Sequence, residues 1–397
     1  MNSSMTTIVM TAAARTPFGR LGGCLKNFSA VELGALAVRE ALSRSRVAPD
    51  EVSESYIGSA VLAGSTLVLA RQVGIRAGIP ASTPSLTIDR ACCSSMTAIG
   101  LGRGRILAGE AVIVVAGGTE SCSRTPFLQH DTRWGRRLGD FTIEDPLQFR
   151  NPITGLPLAR VTGEVALQYG VDRTQQDDWA HASHQRYFQA LDRGFFEAET
   201  MAVSAPGAAG PVRADESPRR GLARDKLSQL SPVYDSPTVT AGNAPGLNDG
   251  ASAVVLMPQS EAERRGADVL CEVVRHVQIA GELDSSPYLP GQAIAKLLTA
   301  AGLDLDQVHR IEINEAFAAM PLVSTRWLAD AAGRDIERLR SITNAHGGAV
   351  ALGHPTGASG ARLAMTLAMA LRERGGGWGV AAICGGFGQA DAVLLKV

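Results

Sequence analysis

Residues 89–118 read DRACCSSMTAIGLGRGRILAGEAVIVVAGG: two adjacent cysteines, a run rich in small residues, and an apolar run that closes on two glycines. The spacing predicts a helix over 94–109 and a buried strand over 111–118, apolar on both faces. The small side chains predict a helix buried where another backbone comes close. Far down the chain the same pair recurs as TGASGARLAMTLAMALRER (356–374) and WGVAAICGGFG (378–388), the latter expected as the closing strand. Working outward, each pair has the same prelude. In the first third it is a strand, TTIVMTAAA (6–14), a helix capped near Ser29, SAVELGALAVREALSRSRV (29–47), and a strand, VSESYIGSAV (52–61). In the last third it is CEVVRHVQIAG (271–281), PGQAIAKLLTAAGL (290–303) and VHRIEINEAFA (308–318). Strand, helix, strand, small-residue helix, strand, read twice, predicts an internal duplication in an α/β layer architecture.

The segments between the repeats give the domain organisation. Residues 1–120 form an N-terminal half, completed by about 246–270, and 271–397 form a C-terminal half. Residues 121–245 form a loop domain with two helical pieces, RTQQDDWAHASHQRYFQALDRG (173–194) and LARDKLSQLSP (222–232). Long insertions of this kind commonly serve as lids or binding loops.

Lys plus Arg number 38 and Asp plus Glu 39 in 397 residues, so nothing points to nucleic acid or an anionic membrane as partner. No apolar run is long enough for a membrane span, and the opening MNSSMTTIVMTAAART predicts no secretory signal. The six cysteines, at 24, 92, 93, 122, 271 and 384, form no CxxC pair. No metal site or disulfide framework is expected, and a reducing cytoplasm is.

The turns carry the chemistry. The Cys92–Cys93 pair is either packing or a nucleophile presented by the helix that follows. His354, in GHPTGASG, stands in the second repeat where Cys92 stands in the first. The duplication therefore brings two helix N-termini together, with a thiol pKa lowered by the helix end and by the imidazole. Cys384 is either a buried strand-end residue or, with Gly385 and Gly386 behind it, part of an oxyanion hole. Asn314 and Glu315 are an ordinary polar turn, or Asn314 holds a water or a carbonyl oxygen. GLGRGR (100–105) lies inside a helix and is read as helix packing, not as a dinucleotide fingerprint. Cys24, Cys93, Cys122 and Cys271 are read as packing residues.

Seven motifs in order, AAARTPFGRLGG, DRACCSSMTA, GGTESCSRTPFL, TVTAGNAPGLNDGASAVVL, NEAFA, NAHGGAVALGHPTGASGAR and CGGFGQADA, resemble the thiolase family over nearly the whole chain. The resemblance implies a five-layered αβαβα fold of two duplicated halves plus a loop domain. It implies acyl transfer between coenzyme A thioesters, with CoA as substrate or product and no permanently bound cofactor, in fatty acid or polyketide metabolism, by a homodimer or homotetramer. It places the acylated nucleophile on Cys92, its base on His354 and the α-proton carrier on Cys384. One oxyanion hole falls on His354 with an Asn314-held water, the other on Gly386 and the Cys92 amide. Candidate substrate-binding residues are Pro245, Leu156, Leu158, Ala244, Phe317 and Met320.

The sequence departs from the family pattern at several positions. Asp89 and Ser95 stand where Asn and Gly are usual, and His346 where Asn is frequent. LPLA (156–159) stands where short-chain members carry Met-His-Met-Gly, and Pro245 where many carry a Ser against pantetheine. These changes predict an altered acyl and pantetheine pocket and a substrate other than acetoacetyl-CoA. Two alternatives are a decarboxylating condensing enzyme, against which Cys384 argues, and a non-catalytic scaffold, against which the intact Cys92, His354, Cys384 and Asn314 argue.

Overall fold

The computed structural model describes residues 6–62, 66–207 and 210–397. Its strands are β1 (Ile8–Arg15), β2 (Gly19–Arg20), β3 (Glu54–Gly58), β4 (Ser85–Ile88), β5 (Val114–Ser121), β6 (Asn248–Pro258), β7 (Cys271–Ala280), β8 (Val308–Ile313), β9 (Trp378–Cys384) and β10 (Gln389–Lys396). They run β4-β3-β5-β6-β1 through the first half and β7-β10-β9-β8 through the second, with β2 paired to β6.

The halves match strand for strand. β3–β5 and β8–β9 are parallel, while β5–β6 and β9–β10 are antiparallel, as are β6–β1 and β10–β7. β4 has a remnant counterpart in Thr343, which bridges Ile311 in parallel. The halves join where Val9 and Met10 of β1 face Glu272 and Cys271 of β7.

The expectation that 378–388 closes the fold is corrected. β9 stops at Cys384, the chain turns over 385–388, and β10 completes the sheet. In the first half the matching partner, β6, arrives only after residue 247, so the loop domain sits where the second half has a short turn. Of its helices, Arg173–Asp192 matches expectation, while 222–232 yields only Arg224–Ser228. The helix Leu158–Gln168 carried no clear signal, because Val161, Thr162 and Gly163 are weak helix formers. It is held by packing against the helix Ala319–Ala332.

Three apolar clusters make the layers. One buries the outer face of the first half, including Val9, Val115 and Val255, under the helices Ala30–Ser45 and Leu69–Arg76. A second buries Ile311, Val380 and Leu394 of the other half under Leu289–Ala301 and Ala319–Ala332. The third lies between the halves, where Met10, Val114, Leu256, Ala381 and Val393 all pack on the two small-residue helices, Ser94–Leu107 and Ser359–Glu373. The small residues let those helices touch: a Cβ at Gly360 would stand 2.5 Å from the Met96 amide nitrogen. On the outer layer, Ser29 Oγ accepts from the Glu32 amide and Glu32 accepts from the Ser29 amide, closing the expected cap.

Candidate active site

The four candidate polar residues stand at element ends. Asn314 follows β8 and Cys384 ends β9, its parallel neighbour, and the Asn314 amide continues the ladder to Ala382 O at 3.0 Å. Cys92 precedes the helix Ser94–Leu107, whose N-cap is Cys93. His354 lies ahead of a single turn, Thr356–Ala358, that leads into Ser359–Glu373. Cys92 and His354 come together as the duplication requires, with Cys92 Sγ 3.2 Å from His354 Nε2. Asn314 Nδ2 is 3.3 Å from the same nitrogen, and Asn314 Oδ1 is buried without a hydrogen-bond partner among the described residues.

The hydrogen bonds fit an imidazole protonated at Nδ1. Ser359 Oγ lies 2.6 Å from His354 Nδ1 and donates its one proton to Pro355 O at 2.9 Å. Ser359 can then only accept from the ring, so Nδ1 carries the proton and Nε2 presents a lone pair toward Cys92. The imidazole is thus set to take a proton from the thiol.

The electrostatics correct one expectation. The Cys92 thiol is not lowered. Desolvation, with Cys384, Glu120 and Asp89 adding to it, pushes its pKa well above the usual 9.0. Helix-end stabilisation amounts to about 0.3–1 kcal/mol, less than one pK unit, whereas enclosure moves a group by up to about 3–5 units. The imidazole gives the thiol no positive charge either, because burial and then the Arg362 charge push His354 down to about 3. At rest the pair is a neutral thiol and a neutral imidazole. Burial likewise lifts Cys384 to about 11, although the backbone N–H groups of Gly386 and of Cys384 itself pull the other way.

These groups open on a cavity of about 280 Å³. Its wall includes Cys92, His354, Cys384 and Gly386, and also Leu158, Ala244, Pro245, Phe317 and Met320, as expected. Leu156 is corrected. It lies just before the N-cap Pro157, in a turn folded back so that Leu156 O accepts from the Asn151 amide at 2.9 Å, and it does not line the cavity. Asn314 sits fully buried behind His354 and is not part of the wall. Leu147, Phe149, Tyr234 and Leu283 join the wall with no pattern in the sequence to mark them. So does Phe387, which has φ +48, a left-handed conformation that costs a non-glycine residue about 1–3 kcal/mol.

Two carboxylates fix the site from behind. Glu120, at the end of β5, accepts from Ser59 Oγ (3.0 Å), the Ala60 amide (2.9 Å), Thr356 Oγ1 (2.6 Å) and the Gly357 amide (2.9 Å), and so holds the turn after His354. The signal was an acid at the end of an otherwise apolar strand. Glu315 is the ordinary structural partner of its motif, accepting from Trp179 Nε1 (2.9 Å), Ser183 Oγ (2.8 Å), Asn344 Nδ2 (2.9 Å) and the Val350 amide (3.0 Å). On the other side Arg90, from the Cys92 turn, pairs with buried Asp391 of β10. Cys93 is a packing residue, fully buried with its thiol 3.3 Å from Ile383 O. Cys122 and Cys271 are buried as well, Cys24 is half-buried, and GLGRGR lies within the helix Ser94–Leu107.

Comparison with known proteins bears on what this site belongs to. The chain matches the model of the thiolase N-terminal domain over residues 8–260 and that of the thiolase C-terminal domain over 267–397. It is 39% identical over 399 residues to a probable acetyl-CoA acetyltransferase of Mycobacterium leprae, covering 99% of this chain and 100% of that protein. It is 36% identical over 396 residues to the human mitochondrial 3-ketoacyl-CoA thiolase, covering 98% of each. The structure of that human enzyme in complex with CoA superposes with a TM-score of 0.92, covering 99% of this chain and 98% of that one. Two domain models in tandem, relatives matched end to end and a shared fold leave one assignment: the chain belongs to the thiolase family.

Proposed function

We propose that this chain is an acyltransferase of the thiolase type, cleaving 3-oxoacyl-CoA with CoA or, in reverse, joining two acyl-CoA molecules. The observation that carries the reading is the pairing of Cys92 Sγ with the unprotonated Nε2 of His354 at 3.2 Å, with the second thiol, Cys384, on the same cavity wall. In the cleavage direction His354 takes the Cys92 proton and the sulfur attacks the 3-oxo carbon. The C2–C3 bond breaks, and the departing acetyl-CoA carbanion takes its proton from Cys384. Incoming CoA then attacks the Cys92 thioester. Its thiol proton restores Cys384, and the imidazolium returns its proton to Cys92. His354, with a water held by Asn314, serves one developing oxyanion, and Gly386 with the Cys92 amide the other. A thiol in the place of Cys384 disfavours a decarboxylating enzyme, which generates its carbanion without a proton carrier. The human relative solved with CoA supports CoA as the carrier here. A homodimer or homotetramer acting in the cytoplasm belongs to the same proposal.

The wall further supports acyl groups longer than acetyl. Leu158, Phe317, Met320 and Leu147 make it apolar over much of its extent, and each methylene accommodated in such a pocket is worth about 1–3 kcal/mol. The test follows loss of the 3-oxothioester on mixing enzyme, CoA and 3-oxoacyl-CoA of four, six, eight and ten carbons. Turnover, with the highest kcat/KM above four carbons, is expected. Cys384→Ala should lower turnover by about a hundredfold to ten-thousandfold while Cys92 still takes an acyl group from acyl-CoA. Failure to cleave any of the four sinks the activity, and a steep preference for four carbons sinks the chain-length reading alone.

A further inference from the structure

The turn behind Cys384 holds a residue that its backbone does not suit. Gly386, Phe387 and Gly388 have φ of +61, +48 and +70, so the chain passes through left-handed conformations in succession and only the middle residue carries a side chain. The turn has little freedom to relax. Gly385 donates to Gln389 O at 2.8 Å, and Gln389 donates back to Gly386 O at 3.2 Å. A Cβ on Gly385 would meet Arg90 O and Cys93 Sγ at 2.9 Å, and one on Gly388 would meet Gly281 O at 2.5 Å. One end is thus pressed on the Cys92 turn and the other on the segment after β7. Phe387 is held in a conformation that suits glycine.

Folding does not account for it. Phe387 is half-buried, belongs to none of the five apolar clusters formed by the described residues, and is in none of their aromatic pairs. Phe317, on the same cavity, packs against the apolar cluster that includes Leu322 and Val323. What Phe387 does face is the cavity, beside Cys384 and Gly386, on the wall that Leu158 shares. A Cβ on Gly386 would stand 3.9 Å from Leu158 Cδ1, so the two segments nearly touch there. Strain left uncompensated by packing and placed at a reacting centre points to a role in the site.

We propose that Phe387 is a specificity-determining residue whose ring contacts the acyl chain beyond the four-carbon length, so that the enzyme favours medium-length apolar 3-oxoacyl groups over acetoacetyl. This deepens the thiolysis reading above and rests on it. A four-carbon substrate extends only one methyl beyond the 3-oxo carbon and on this proposal falls short of the ring. A six- or eight-carbon substrate lays its added methylenes against it and against Leu158.

The experiment compares the wild type with Phe387→Gly and Phe387→Leu in thiolysis of four- and eight-carbon 3-oxoacyl-CoA, with thermal melting alongside. Glycine suits the backbone, so the Phe387→Gly midpoint should equal or exceed that of the wild type. The ratio of its kcat/KM for eight carbons to that for four should fall by about tenfold, the scale of a lost apolar contact. Phe387→Leu should recover part of the eight-carbon rate. An eight-to-four ratio unchanged in Phe387→Gly overturns the proposal, whether both substrates hold their rates or both weaken alike through a lost pantetheine contact. A ratio that moves toward the longer chain overturns it as well, because the ring would then block the chain. In each of these cases continued four-carbon turnover leaves the thiolysis reading standing.

Discussion

At Cys92 two effects of opposite sign meet. The helix end favours the thiolate, desolvation opposes it, and desolvation wins because it is the larger effect. A thiol whose pKa lies well above 9.0 has a thiolate fraction that grows about tenfold per pH unit below that value. Alkylation of Cys92 by iodoacetamide, mapped by peptide mass, should therefore climb steadily between pH 6 and pH 9. A thiolate–imidazolium pair would instead give a plateau below pH 8, and a plateau would refute the neutral pair. The imidazole has its own pH signature. His354 folds with a pKa of about 3 against an ordinary 6.5, so its neutral form stabilises the fold above 6.5 and that contribution is lost as pH falls toward 3. The residues of the site were legible because their neighbours, small and glycine-rich turns after apolar strands, leave local patterns. The direction of the thiol shift was not, since it depends on what encloses Cys92, and part of that enclosure comes from loop-domain residues such as Leu147 and Leu158.

Among the elements, legibility follows the partners each one needs. β5 and β9, apolar on both faces, and the two small-residue helices declare themselves because layers cover them on every side. β4 is short, part-buried or exposed over Ser85–Thr87, and paired among the described residues to β3 alone, so its four residues carry no such pattern. Leu156 does not line the cavity because the turn ahead of Pro157 folds it back onto the Asn151 amide, a contact with no pattern in the sequence. One contact between elements carries a stability prediction. Arg362 of the central helix and Glu312 of β8 are both buried, with Arg362 Nη1 3.5 Å from Glu312 Oε2. Burial raises Glu312 to about 8 although Arg362 pulls it down, so this residue's contribution is fully present below 4.5 and is lost as pH rises toward 8. Glu312→Gln should therefore leave stability to urea little changed at pH 5, because it replaces a protonated carboxyl, and should abolish the loss that this residue brings as pH rises from 5 to 8. A variant as pH-sensitive as the wild type over that range would show that Glu312 does not hold its proton in the folded state.

On the scale of the whole molecule, the cluster between the halves decides what can fold. It takes Met10, Val114 and Leu256 from one half and Ala381, Val393 and Leu395 from the other, with a helix from each between them. The cavity is shared in the same way: Cys92 comes from the first half, Leu158 and Tyr234 from the loop domain, and Phe317, His354 and Cys384 from the second half. Residues 267–397 match a domain model of their own, yet alone they would present to water the inner faces of β9 and β10 and one side of the helix Ser359–Glu373. A continuous apolar surface of that kind exceeds what soluble monomers usually expose. Expressed alone, residues 267–397 should aggregate or bind a hydrophobic dye such as ANS and melt without a sharp transition, whereas the full chain should unfold in one cooperative step. Co-expression with residues 1–266 should restore both the sharp melting and the thiolysis activity. A sharp, dye-free melting transition for the isolated C-terminal segment would mean that each half carries a sufficient core, and that the shared layer assembles the active site without being needed for folding.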